Sequence, residues 1–82
     1  MGVQVLKNWS PRKIVHFLKR NGFVDSKIHK GDHCGLYNPE TKAYVEVDQG
    51  RDAFTKREMS GFVHASKIDE KNWIRGKKIK KQ

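Results

Sequence analysis

Residues 34–47, CGLYNPETKAYVEV, decide the fold. Apolar side chains occupy every second position on both sides of a proline-containing centre, Cys34 and Leu36 before it and Ala43, Val45 and Val47 after it. A period of two is the repeat of a strand with one buried face, and Asn-Pro-Glu-Thr-Lys is turn chemistry, so the segment reads as a β-hairpin. Working outward, residues 24–30 (VDSKIHK) hold Val24 and Ile28 an even distance apart. Lys30-Gly31-Asp32 is expected to close a second hairpin as a three-residue loop, with Gly31 free to take a positive φ. Three antiparallel strands in meander order follow.

Helical signals flank the strands. In residues 9–22, WSPRKIVHFLKRNG, Ser10 is an N-cap residue, Pro11 suits the first helical position and Gly22 supplies a left-handed stop. A helix is predicted from about 11 to 21. Trp9 and Ile14 have the spacing of a hydrophobic staple, and Ile14, Phe17 and Leu18 form a stripe widened by Val15, while Arg12, Lys13, Lys19 and Arg20 fall elsewhere. Thr55 and Glu58 have the spacing of a capping box, which starts a second helix over 56–66 with Met59, Phe62 and Val63 as its stripe. Gly61 inside it costs about 1 kcal/mol relative to alanine. Residues 68–74, IDEKNWI, add a short turn capped by Asp69 and anchored by Trp73 and Ile74, and residues 75–82, RGKKIKKQ, are expected to be a disordered basic tail on a single 1–74 domain. The N-terminal Val-Gln-Val alternation fits an edge strand or a frayed end equally well. The fold class is α+β: a three-stranded antiparallel sheet in α-β-β-β-α order, with two helices on one face and the other face open.

Eighty-two residues carry 18 Lys+Arg against 9 Asp+Glu, a formal charge of +9. On so small a body that charge projects a positive potential to roughly 8 Å in physiological salt and favours a polyanionic partner. Nucleic acid is preferred to a membrane, because no run approaches the roughly 18 apolar residues of a span. One cysteine, Cys34, cannot form an internal disulfide, and no N-terminal run resembles a secretory signal, so a cytoplasmic location is expected.

Side-chain parity then locates the chemistry. With Cys34, Leu36, Val45 and Val47 facing the helices, the open face carries His33, Gly35 and Tyr37 beside Tyr44, Glu46 and Asp48. A two-residue turn sets His33 opposite Glu46 and a four-residue loop sets it opposite Asp48. The three-residue Lys30-Gly31-Asp32 loop would set His29 opposite His33. An imidazole beside a carboxylate can move protons at neutral pH, so this face suits phosphodiester chemistry, while His33 taken alone also reads as an exposed histidine beside a turn. Tyr37 and Tyr44 suit either base stacking or cross-strand packing, and a ribonuclease reading takes Lys27, Lys30 and the tail lysines as its phosphate contacts. No cofactor is expected. His33 and Cys34 are adjacent in a strand and point to opposite faces, so they share neither a metal ion nor a nucleophilic dyad. His16 and His64 border helical stripes and read as packing or surface residues.

Three stretches, IVHFLKRNGF, KGDHCGLYNPETK and AYVEV, together resemble the HicA family of bacterial mRNA-cleaving toxins. The likeness rests on Asn21-Gly22-Phe23, on Gly31-Asp32-His33 and on Asn38-Pro39, and it covers about Trp9 to Ile68. It implies a double-stranded-RNA-binding-like fold and metal-independent cleavage of single-stranded RNA. It also implies translation arrest and inhibition by a HicB-like antitoxin that covers the site. The family's essential histidine falls on His33, and its close-approach glycine on Gly31. His29 is a candidate catalytic partner. Asp32 stands where the family has serine, and the basic tail has no family counterpart. Two rival readings remain at this level: a non-catalytic RNA-binding module of the same fold, and a basic adaptor whose open sheet face meets an acidic protein.

Overall fold

The computed structural model describes residues 9–75, with the backbone alone at 28–30 and 75. The Val-Gln-Val segment and residues 76–82 lie outside the described residues. The elements run α1 (Pro11–Arg20), β1 (Val24–Lys30), β2 (His33–Tyr37), β3 (Tyr44–Asp48), α2 (Lys56–Ser66) and α3 (Glu70–Arg75), and the sheet order is β1-β2-β3, antiparallel throughout. The expected α+β meander is therefore the fold. The turn over 68–74 is a short helix of its own, and none of the helices is long and apolar enough to cross a membrane, among the described residues.

Both ends of α1 follow from local chemistry. The Lys13 N–H donates to Ser10 Oγ at 3.2 Å. Asn21 closes the helix, Gly22 follows at φ 94°, and the Gly22 and Phe23 amides donate back to Lys19 and Leu18 carbonyls at 3.3 and 3.0 Å. That is a Schellman cap, and Phe23 and Leu18, the pair it brings together, are both buried. At α2 the capping box forms in both directions, with the Glu58 N–H on Thr55 Oγ1 and the Thr55 N–H on Glu58 Oε1. Gly61, midway along α2, faces open space, so no close neighbour explains it.

The β2–β3 hairpin is built around Asn38. Its buried carboxamide accepts from the Glu40 and Thr41 amides at 2.9 and 3.3 Å and donates to Asn21 O at 3.4 Å, tying the hairpin loop to the end of α1. The loop spans residues 39–42 and turns out of Lys42 at φ 68°. This four-residue connection sets the register Cys34↔Val47, Leu36↔Val45 and His33↔Asp48. Cys34, Leu36, Val45 and Val47 are all buried, so parity places the apolar face as expected.

The first hairpin departs from expectation. Its turn holds two residues, Gly31 and Asp32, so Lys30 pairs with His33 and His29 pairs with Cys34. The anticipated His29–His33 juxtaposition is displaced by one residue. Farther along β1 a bulge sets Ser26, Lys27 and Ile28 against Gly35 alone. Lys27 sits in it at φ 69°, and its N–H donates to Asp25 Oδ1 at 3.0 Å. The bulge also breaks the even spacing of Val24 and Ile28: Val24 pairs with Tyr37 and is 49% exposed.

Trp73 of α3 completes the interior. It is fully buried, with its ring centroid 4.4 Å from that of Phe17 and 5.3 Å from that of Trp9. Its indole N–H donates to Ser66 Oγ at 3.0 Å, which also accepts from the Ile68 amide and donates to Val63 O.

Candidate functional site

His33 opens β2 immediately after the Gly31-Asp32 turn. Gly31 takes φ 59° with nothing near its missing side chain, which leaves the backbone before His33 approachable. The imidazole is about half exposed on the face away from α1 and α2, and its Nδ1 lies 4.0 Å from Glu46 Oε2. Asp48 is its cross-strand partner. Its neighbour Cys34 is buried on the other side of the sheet, where burial, followed by the charge of Asp25, pushes the thiol pKa up, so it stays a neutral, inert group.

An open groove of about 420 Å³ begins at His33 and passes along β3 to α2. Its floor is apolar (Val45, Phe54, Phe62 and Ala65), and Glu46, Asp48, Arg51 and Glu58 supply its charge. Phe54 and Phe62 meet edge to face at 4.9 Å. Arg51 is clamped to Glu58 by two hydrogen bonds of 2.6 and 2.8 Å. That clamp, with the Thr55 amide behind it, holds the Glu58 carboxyl at a pKa of about 2, and the same carboxylate raises the Arg51 pKa.

A pH dependence follows from Glu58. Its folded pKa lies below the ordinary value of 4.5, so its contribution to stability is complete above about pH 4.5 and is lost as the pH falls toward 2. The difference in thermal midpoint between wild type and Glu58→Gln is therefore expected to be largest near neutrality and to vanish near pH 2. A difference that persists unchanged at pH 2 contradicts this assignment.

The other sequence candidates are dispersed. Tyr37 and Tyr44 are cross-strand partners at the far end of β2 and β3, four residues or about 13 Å from His33. Tyr44 is exposed, with the hydroxyl end of its ring lying over Gly35. A methyl group on Gly35 would run into the Tyr44 hydroxyl and come within 2.6 Å of Ser26 Oγ, so this glycine is required by close approach. Gly35→Ala is expected to cost about 1–3 kcal/mol in urea unfolding. Part of that penalty should disappear in a Tyr44→Ala background, where Ser26 Oγ is still in the way, and full retention there would show that Tyr44 is not the obstacle. Lys27 lies in the β1 bulge beside Gly35, and Lys30 has its backbone directly opposite His33. The side chains of His29 and Lys30 lie outside the described residues.

Arg51 and Phe62 as groove residues, and Glu58 as more than a cap, were not singled out from sequence. A capping box accounts for Glu58 by itself, so nothing in the sequence pointed to its second partner, seven residues upstream in a loop. Among the described residues no cluster of three or more His, Cys, Asp and Glu side chains is placed to hold a metal ion. Comparison of this chain with known protein families, with curated proteins and with solved structures finds no match.

Proposed function

We propose that this chain is a small endoribonuclease of the HicA type, an mRNA-cleaving toxin for which His33 is the proton-transferring group. The observation that carries the reading is the half-exposed imidazole at the mouth of an open groove, with Glu46 4.0 Å away, on a chain of net charge +9. His33 takes the proton of a ribose 2′-hydroxyl. The 2′-oxygen attacks phosphorus, and the P–O5′ bond breaks to leave a 2′,3′-cyclic phosphate. Solvent or the newly protonated imidazole protonates the departing 5′-oxygen. Glu46 lies beside the ring on the same face, placed to orient it. Gly31 lets the backbone approach the phosphate, and Lys27 and Lys30 contribute positive charge beside β1. RNA is the substrate, a HicB-like protein covering the groove is the inhibitory partner, and the site of action is the cytoplasm.

The test is cleavage of single-stranded RNA, with EDTA present, by wild type and by His33→Ala. Equal rates remove His33 from the mechanism.

A second reading is favoured by a specific observation: among the described side chains, the charged groups around His33 are carboxylates. Asp32 precedes it, Asp48 faces it and Glu46 lies diagonal to it, while the Arg51 charge is spent on Glu58. These carboxylates oppose a phosphate at His33, and a module of the same fold that holds RNA elsewhere on its basic surface without cutting it is compatible with them. Salt-sensitive binding with no product from wild type would establish it.

A further inference from the structure

The carboxylates around His33 raise the question of where an RNA chain is held, because the described side chains lining that groove include Glu46 and Asp48 and no cation besides Arg51, which is paired with Glu58. Charge on this protein is segregated. In its ten residues α1 carries Arg12, Lys13, Lys19 and Arg20 and no acidic side chain. Arg12, His16 and Lys19, at spacings of four and three, lie along one side of that helix and are all exposed. With the half-buried Val15 between them, they form one wall of a second open hollow whose other wall is Gln49, Arg51 and Asp52 of the β3–α2 loop. Asp52 is the one carboxylate lining it, against three in the groove at His33. Arg51 lines both hollows, so the loop that bears it is the ridge between them.

We propose that this side of α1 is a track for the sugar-phosphate backbone of RNA, which crosses the ridge at Arg51 to reach His33. The proposal rests on RNA being the ligand, but not on its being cut. From Arg12 to Lys19 the helix rises about 10 Å, enough for two neighbouring phosphates, one on each cation. The Val15 side chain and the His16 ring between them offer apolar and polar contact to the intervening ribose. Lys13, by contrast, has its ammonium over the Trp9 ring at 4.6 Å and is committed there. Binding energy is thus gathered on α1, away from the carboxylates that serve the imidazole.

The test uses the full chain in a His33→Ala background, so that the RNA stays intact, and a short fluorescein-labelled single-stranded RNA titrated over a series of KCl concentrations. Replacing Arg12 and Lys19 together by glutamine is expected to weaken binding about 10- to 30-fold near 0.1 M salt and to reduce the slope of log K against log salt by about 1.4, or about 0.7 for each lost phosphate contact. Replacing Lys56 and Arg57 by glutamine removes the same charge from the first turn of α2 and is expected to leave the slope unchanged. Equal losses for the two pairs would mean that net charge alone holds RNA, and the proposal falls; it falls equally if Arg12 and Lys19 change nothing, or if they matter for anionic vesicles but not for RNA. If wild type fails to cut RNA while the Arg12/Lys19 pair still weakens binding as described, the nuclease reading is lost and the track stands.

Discussion

Replacing Trp73 with alanine is expected to cost about 3–5 kcal/mol, a large share of the stability of so small a domain. The ring is fully buried, packs on Phe17 at 4.4 Å and Trp9 at 5.3 Å, and donates its N–H to Ser66 at 3.0 Å. Removing a buried tryptophan costs about 3–5 kcal/mol, whereas a domain of this length has only about 4–12 kcal/mol in total. The cavity would open between α1 and α3, where the slab, 16 Å across its shortest extent, has little further interior to collapse inward. Trp73→Phe keeps part of the aromatic contact and loses the hydrogen bond, so an intermediate loss is expected. Urea unfolding followed by circular dichroism checks both, and a loss below about 1 kcal/mol for Trp73→Ala would contradict the packing described.

His33→Ala is expected to lower the rate of RNA cleavage by about 10²- to 10⁴-fold, the usual range for removing a positioned acid–base group. Because the side chain is half exposed, the circular dichroism of the variant should match wild type, and the loss can then be read as chemistry. Added imidazole should restore part of the rate to the alanine variant, since the space the ring leaves is open to solvent. Glu46→Gln removes the charge but keeps the shape, and a smaller loss is expected, expressed in kcat rather than KM. Cys34→Ala should keep full activity, because that side chain lies on the opposite face of the sheet. If the alanine variant at 33 cuts as fast as wild type, the groove is not the reacting site.

The sequence was most informative where one local rule acted alone. Ser10, Pro11 and Gly22 bounded α1, Thr55 and Glu58 started α2, and alternation in 34–47 set which side of β2 and β3 is buried. The first strand was misread because two local features acted together. The turn used two residues where three were expected, shifting His29 to face Cys34, and a lysine, a residue type with no left-handed preference, took φ 69° at position 27. The Asp25 carboxylate that accepts from the Lys27 amide gives that bulge a local reason. Asp-x-Lys is too common a pattern to announce it. Of the candidate site, His33 with Glu46 and Asp48 was legible from parity. Arg51 and Phe62 were not, because they reach the groove from a loop and from a second helix through tertiary packing.

The hydroxyl of Ser66 touches the last turn of α2, the amide of Ile68 and the indole of α3 at once. Peeling α3 away would take the Trp73 indole off Ser66 and bare the aromatic side of α1 in the same motion. Detachment of the C-terminal helix therefore costs the Trp73 ring its packing on Phe17 and Trp9 and its hydrogen bond together, so its fraying is coupled to the aromatic core.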